Sequence, residues 1–368
     1  MEIPVLAVTG GPCSGKSSLT YIREDLEKKG FTVLIIPEVA TELFMSGIKV
    51  GKHGITNRKF QEMVLEEQIS REKKYKYRAE LMPGKKKVII CERGAMDGKA
   101  YLAPKEFTRM IHEMGYRTPQ LRDERYTAVF HLVSAAIGVE KFYTTANNPA
   151  RKEKTKEEAA LLDIKTRAAW VGHPHLRVID NSTDFKGKMK RLLKAIERSL
   201  GIPEPLEIEK KYLIKRPDFC LLKKEYGAVP VMIEQFFLDS KKGNRCRIRD
   251  RRQDGYSVYY QTAKQKISSG VRREVEKRIA YNLYSYKRDY ERDPSRNMIR
   301  KKRHYFLWQN QYFELDLFFE PKQRKGLSLL EIELDEVEQA VCLPPCIEVI
   351  ADVTDNPVFT NFSFAKNQ

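Results

Sequence analysis

Thr9-Gly10-Gly11-Pro12-Cys13-Ser14-Gly15-Lys16-Ser17-Ser18 matches Gly-x-x-x-x-Gly-Lys-Ser/Thr in full. Ahead of it Ile3-Pro4-Val5-Leu6-Ala7-Val8 is a short apolar run of buried-strand character, and behind it Ser17 to Lys29 reads as a helix stopped by Gly30. Strand, glycine turn and helix form the setting in which such a loop holds phosphate. Gly10 and Gly15 permit backbone angles that other residues resist, so successive N–H groups can converge on a β-phosphate while the helix N-terminus adds positive potential. Lys16 would bridge the β- and γ-phosphates, and Ser17 would hold Mg²⁺. The competing reading is a plain glycine turn before an ordinary helix, and the full motif in this setting argues against it. Gly10 to Ser18 are therefore the expected nucleotide-binding residues.

Apolar runs recur beyond the loop at Phe31 to Ile36, Val88 to Cys91, Thr127 to Leu132 and Leu176 to Ile179, separated by helix-length segments. That alternation predicts an α/β domain with a parallel sheet between helices, over residues 1–200. The polar residues that end each run, Glu38, Glu92-Arg93, Asp97 and Asp180-Asn181, should gather at the carboxyl edge of the sheet, where ligands bind in such folds. Glu92 follows a buried strand directly, which suits a carboxylate that serves Mg²⁺ or acts as a catalytic base, with a helix cap or an ion pair to Arg93 as the plainer reading. Asn147 to Lys154 is polar and precedes a helix ending near Trp170, so it reads as a lid with Arg151 as a phosphate clamp, or as a solvated loop. No Asn-Lys-x-Asp base-reading motif occurs, so GTP and ATP both stay open.

The chain has 368 residues, 41% hydrophobic and 32% charged, which is enough for two cores and too polar for a membrane protein. No apolar run approaches the roughly 20 residues of a spanning helix, and the N-terminal strand lacks the features of a signal peptide, so a cytoplasmic location is expected. Six scattered cysteines without zinc-finger spacing point to reduced thiols. A formal charge of +18 implies attraction to polyanions without choosing among nucleotides, polyphosphate, nucleic acid and an acidic membrane surface.

Gly201-Ile202-Pro203-Glu204-Pro205 is a natural domain boundary, and the pattern then changes to period-two strands over residues 205–368. Glu207, Glu209 and Lys211 project from one face of the first of them. Basic alternation follows in Arg245-Cys246-Arg247-Ile248-Arg249 and at Lys264, then Arg272-Arg273-Glu274-Val275-Glu276, Arg300-Lys301-Lys302-Arg303, Phe313-Glu314-Leu315-Asp316-Leu317 and Leu330-Glu331-Ile332-Glu333-Leu334. Like-charged pairs on one face of several strands are either a solvated surface or the lining of a polar tunnel in a closed antiparallel β-barrel, and the number of agreeing strands favours the tunnel. In a tunnel Glu207, Glu209, Glu331 and Glu333 would bind Mg²⁺ or Mn²⁺, while Lys211, Arg245, Arg247, Arg249, Lys264, Arg273, Arg300 and Lys302 would hold phosphate oxygens. Catalysis there would fall to Glu207, Glu209 and Lys211, with a metal-activated water.

Glu207-x-Glu209-x-Lys211 with the later charged pairs resembles the CYTH, or triphosphate tunnel metalloenzyme, superfamily, which includes tripolyphosphatases, thiamine triphosphatases and a class of adenylate cyclase. The first domain resembles the P-loop kinase-like ATPases. Cys91 to Asp97, Phe130 to Ala136, Ala169 to Pro174 and Val178 to Phe185 resemble the TRPL translocation defect proteins in particular, which join the same two domains in the same order. The resemblance implies GTP binding by the first domain, recognition of anionic phospholipids and a role in membrane-protein trafficking. Glu92 stands where that family has Asp.

A cytoplasmic protein that binds GTP or ATP and a second phosphorylated ligand, polyphosphate, nucleotide or phospholipid head group, with peripheral membrane contact, is the expected function. The alternative is an enzyme, either a metal-dependent tri- or pyrophosphatase or a small-molecule kinase. Nucleic-acid binding lacks a motif, and Tyr281, Tyr284, Tyr286 and Tyr290 are expected to pack a helix against the second sheet.

Overall fold

The computed structural model describes residues 2–143, 153, 155–202, 208–239, 245–268, 271–336 and 338–367, without the side chains of 245, 264–268 and 271–274. They divide into two compact units, Met1–Leu200 and Gly201–Gln368.

The first unit runs β1 (Val5–Gly10), α1 (Leu19–Lys28), β2 (Thr32–Ile36), α2 (Val39–Met45), α3 (Asn57–Leu81), β3 (Lys87–Glu92), α4 (Pro104–Glu113), β4 (Ala128–Leu132), α5 (Lys156–Ala169), β5 (Leu176–Ile179) and α6 (Phe185–Ser199). The strands pair in parallel in the order β2-β3-β1-β4-β5. Every residue of β1 is buried, as expected of a strand covered on both faces. Helix α1 buries Leu19, Ile22 and Leu26 and helix α6 buries Met189, Leu192, Leu193 and Ile196, both at helical spacing, on a core with Leu6, Val8, Val33, Ile90 and Phe130. The chain steps from β1 out to β2 on one side and later to β4 and β5 on the other. Strand order therefore reverses at the carboxyl end of β1, where the glycine loop leaves the sheet. Helix α1 starts at Leu19 rather than Ser17, because Gly15 is left-handed at φ 99 and Lys16–Ser18 form a single 3₁₀ turn first.

The second unit runs β6 (Glu209–Ile214), α7 (Phe219–Tyr226), β7 (Val229–Phe237), β8 (Arg245–Gln253), β9 (Tyr256–Ser268), β10 (Val271–Ile279), α8 (Tyr281–Tyr290), β11 (Ile299–Trp308), β12 (Gln311–Glu320), β13 (Ser328–Glu333), β14 (Val349–Asp352) and α9 (Asn361–Phe364). Its nine antiparallel strands pair in the order β10-β9-β8-β7-β11-β12-β13-β6-β14. Directly opposed residues share a face. Tyr305, Glu314, Glu331 and Lys211 form one row across four strands, and Arg303, Asp316 and Leu329 lie in the next. Lys301 opposes Ile233, which opposes Arg251, so Arg247, Arg249 and Arg251 join the same face. The other face carries Ile214, Phe306, Phe313, Leu315, Leu330 and Ile332, which pack with Leu222 of α7 into an apolar core.

The charged face is buried: Asp316 is 0% exposed, Lys301 and Arg251 2%, Arg303 6% and Lys211 7%. It is therefore not the solvated outside of the sheet. Arg300 and Lys302, expected in the basic set, lie on the opposite face, with Lys302 opposite Met232 and Leu317. Lys301 and Arg303 hold the positions facing Asp316. The cause is the two-residue turn Gln309-Asn310, both left-handed at φ 46 and 63, which sets Trp308 opposite Gln311 and so aligns odd positions of β11 with even positions of β12. Of the four tyrosines, Tyr284 of α8 is buried on Tyr259 at 4.6 Å between ring centroids, whereas Tyr281, Tyr286 and Tyr290 are exposed.

The face assignment makes a mutational prediction. Arg303→Ala should cost roughly 3–5 kcal/mol, because it removes from buried Asp316 and Glu331 one of the two cations that each meets, while Lys302→Ala should stay within about 0.5 kcal/mol. Denaturant unfolding of the two variants distinguishes the faces, and equal effects would contradict the register.

Candidate functional site

The phosphate loop is fixed from three sides. Gly11 N–H donates to Asp163 Oδ1 of α5 at 2.9 Å, and the same oxygen accepts Ser134 N–H at 2.9 Å. The other Asp163 oxygen lies 3.1 Å from His131 Nε2. Both side chains are fully buried, and burial holds His131 below its ordinary pKa although Asp163 opposes this. A Cβ on Gly11 would sit 2.7 Å from Asp163 Cβ and Oδ1, and one on Gly10 would sit 2.2 Å from the Leu132 carbonyl. Neither glycine can be replaced without moving the loop.

Lys16 is 8% exposed and folds over the loop, its Nζ donating to Gly10 O at 3.0 Å, Gly11 O at 2.9 Å and Ser14 Oγ at 3.1 Å. Burial, then the Arg93 charge, lowers its pKa to about 8. Ser17 is exposed at the mouth of the loop. Thr9 Oγ1 donates to Asp97 Oδ2 at 2.7 Å and Trp170 Nε1 donates to Asp97 Oδ1 at 2.6 Å, so Asp97 is a buried anchor beneath the loop.

Arg93, held at φ 65, reaches Glu38 Oε1 at 2.6 Å, Asp97 Oδ2 at 3.2 Å and the Gly10 carbonyl at 3.3 Å. Arg93 thus does not pair with its neighbour Glu92. Among the described residues Glu92 makes no side-chain hydrogen bond or ion pair, and burial with the nearby Glu38 charge raises its pKa. Lys16, Glu38, Glu92, Arg93 and Asp97 open into one pocket of about 600 Å³ that also takes in Ser17 and the apolar side chains of α2, α3 and α4. A hydroxyl and a free carboxylate lining one phosphate pocket fit Mg²⁺, which keeps several waters and needs few protein ligands. Arg151 lies outside the described residues.

On the charged sheet face Lys211 Nζ stands between Glu331 at 3.1 Å and Glu209 at 3.2 Å. Arg303 reaches Asp316 at 2.6 Å, Glu331 at 2.7 Å and also Glu314, and Lys301 reaches Asp316 at 2.5 Å. Burial pushes the Glu331 carboxyl upward, but Lys211, Arg303 and Lys301 hold it well below the usual range. Arg249 pairs with Glu276 and donates to Thr262 Oγ1 at 3.1 Å, while Arg251 donates to Tyr305 Oη. Glu333 opposes Glu209 in the register and is exposed. Glu207 and the side chains of Arg245, Lys264 and Arg273 lie outside the described residues. Among those described, no group of three His, Cys, Asp or Glu side chains is gathered as for a metal ion. The described carboxylates instead meet cations, so on their own they do not form a metal cage.

Sequence reasoning singled out neither Asp163 nor His131. A lone acid in Ala159-Ala160-Leu161-Leu162-Asp163-Ile164 was the available signal, since an ionisable group in so apolar a helical run needs a buried partner. Glu314, Asp316, Lys301 and Arg303 stood in stretches already noted for their charge.

Comparison with known proteins finds one family and several solved structures. No curated protein matches the chain. Among solved structures, the inorganic triphosphatase NE1496 is 24% identical over 44% of this chain and 95% of that one, with a TM-score of 0.31. PH1819 from Pyrococcus horikoshii OT3 is 19% identical over 35% and 78%, with a TM-score of 0.29. HpAC1 from Hippeastrum, described as having a dominant triphosphatase activity, is 18% identical over 35% and 80%, with a TM-score of 0.27. Among the described residues no helix is long and apolar enough to cross a membrane. Residues 5–188, half of the sequence, match the family described as AAA domain. The chain belongs to the AAA domain family, with a nucleotide-binding domain in its first half.

Proposed function

We propose that the first unit binds GTP or ATP with Mg²⁺ and that the second unit binds a separate phosphorylated ligand on its charged face, making the protein a nucleotide-responsive binding protein of the cytoplasm. The observation that carries the first part is the buried Lys16 ammonium, satisfied only by loop oxygens and placed where β- and γ-phosphates lie in such loops. Phosphate oxygens replace those carbonyls with partners of full charge. Ser17, with Glu92 nearby, is the group that would hold Mg²⁺, which neutralises phosphate charge when bound.

The second part rests on the buried cations Lys211, Arg251, Lys301 and Arg303 on one face, with Arg247 and Arg249 beside them. A polyphosphate, a nucleotide or an anionic phospholipid head group meets that chemistry. The head group is the ligand that resemblance to the TRPL translocation defect proteins suggests, and with it comes peripheral membrane contact and a part in membrane-protein trafficking. A metal-dependent triphosphatase is a second reading, favoured by Glu209, Glu314, Asp316 and Glu331 sharing the face with Lys211. It requires closure of the sheet into a tunnel and metal ligation by Glu207 with Glu209, Glu331 and Glu333. Phosphate release from tripolyphosphate that needs Mg²⁺ or Mn²⁺, survives Lys16→Ala and is lost in Glu207→Gln with Glu209→Gln would establish it.

Lys16→Ala should weaken GTP and ATP binding by roughly 10- to 100-fold, the worth of about 1.5–3 kcal/mol of charge-assisted hydrogen bonding. Calorimetry on the folded variant measures it, and unchanged affinity for both nucleotides would remove the loop as the site.

The lowered pKa of Lys16 gives a pH signature. With Arg93, Glu38, Glu92 and Asp97 around it, free Lys16 loses its proton through about pH 8, whereas bound phosphate favours the charged form and raises its pKa again. Binding should therefore weaken as pH rises above 8 and take up a proton there, with no such uptake near pH 7. Titrations in buffers of different ionisation enthalpy read the uptake directly, and a pH-independent proton count would contradict the assignment.

A further inference from the structure

The pocket at the phosphate loop is lined by two groups of segments, here called its two lobes. One lobe is built from the ends of β4 and β5 and the start of α6, including Ala135, Asn181, Thr183 and Phe185. The Phe185 ring lies against Gly15, at the helical end of the loop. The other lobe is built from α2, α3 and the segment after β3, including Phe44, Phe60, Gln61, Val64, Leu65 and Phe107. Lys16 Nζ marks the γ-phosphate end of the loop, and it lies on the Gly10 carbonyl that Arg93 also contacts. A triphosphate held this way leaves its base on the Phe185 side and points its γ-phosphate at Glu92, Arg93 and the second lobe.

That second lobe has the character of a specific site. Its walls are aromatic and aliphatic, and Gln61 and Gln68 of α3 add primary amides to them. Gln61 is 5% exposed and makes no side-chain hydrogen bond among the described residues. Its Oε1 lies so near Gly98 that a Cβ there would approach to 2.9 Å. Two turns further along α3, Gln68 donates Nε2 to Glu72 Oε1 at 2.9 Å, and Glu72 is itself locked by Tyr126 Oη at 2.6 Å and Arg125 at 2.5 Å. The lock fixes the amide of Gln68 and leaves its carbonyl oxygen free. Gln61 thus keeps its amide, and Gln68 its carbonyl oxygen, available to a ligand in the pocket. A donor and an acceptor on one primary amide between aromatic walls match the edge and faces of a nucleobase.

We propose that this lobe is a second substrate site, which takes the ring of a nucleoside and presents its hydroxyl to Glu92 as acceptor of the γ-phosphoryl group. The proposal rests on nucleoside triphosphate binding at the phosphate loop. The hydroxyl oxygen forms a bond to the γ-phosphorus as the bond from that phosphorus to the β,γ-bridging oxygen breaks. The hydroxyl proton passes to the Glu92 carboxylate, and the products are a nucleoside monophosphate and a nucleoside diphosphate. Glu92 suits the role because among the described residues no cation pairs with it and its carboxylate lines the same pocket as Lys16 and Arg93. Arg93, held by Glu38 and Asp97, faces the transferring group as a fixed positive charge.

The test uses the full chain with γ-labelled GTP or ATP, Mg²⁺ and each of the common ribo- and deoxyribonucleosides. Labelled nucleoside monophosphate should appear with at least one of them. Glu92→Gln should lower that rate on the order of 10²- to 10⁴-fold with both ligands still bound. Gln61→Leu should weaken nucleoside affinity on the order of tenfold or more without altering triphosphate affinity. Protein that binds triphosphate but labels no nucleoside overturns the proposal, as does transfer that survives Glu92→Gln. Protein that binds no triphosphate removes the nucleotide reading and this proposal together.

Discussion

A buried ammonium group at Lys16 constrains the first unit more than any other single group. Taking a charge out of water is expensive, and here it is balanced by two loop carbonyls and one hydroxyl rather than by a carboxylate. Those carbonyls can converge only if the loop turns tightly, which requires glycine at positions 10 and 11, where any side chain would strike Leu132 or Asp163. Asp163 then ties the loop to α5 and to the end of β4, and Asp97 ties the same end of β1 to Trp170. The result is a loop whose shape is held by a shell of side chains behind it, which leaves Lys16 as the group that would exchange partners with a phosphate.

The second unit meets the opposite constraint, since it buries many charges of both signs on one sheet face. Lys211, Lys301 and Arg303 neutralise Glu209, Glu314, Asp316 and Glu331 in a connected set, and an apolar core on the other face supplies the stability. Buried ion pairs add little net stability compared with apolar packing of the same volume. Across four neighbouring strands they are the groups with which the proposed phosphorylated ligand would exchange partners. Gln235, fully buried on this face, likewise has both amide atoms without a partner among the described residues.

Much of this was legible in the sequence because the signals were local. The loop motif, the five parallel strands and the period-two change after residue 205 each follow from a few consecutive residues. The phase of β11 was less accessible, because Arg300-Lys301-Lys302-Arg303 is basic at every position and alternation alone cannot say which pair faces inward. The turn at Gln309-Asn310 contains the answer: with Trp308 opposite Gln311, Arg303 must oppose Asp316. Asp163 was hidden for a different reason, since its partners Gly11, His131 and Ser134 come from distant segments that only the folded sheet brings together. The same is true of Gln61 and Gln68, which look like ordinary polar positions of an exposed helix until α3 is laid over the pocket.

The most direct test of the account is a crystal structure of the full chain with a non-hydrolysable GTP or ATP analogue and Mg²⁺. Lys16 Nζ should leave the Gly10 and Gly11 carbonyls for oxygens of the β- and γ-phosphates, with the Gly11–Asp163 hydrogen bond kept and the γ-phosphate facing Glu92 and Arg93. A bound analogue elsewhere on the protein, with Lys16 still on its own loop carbonyls, would contradict it.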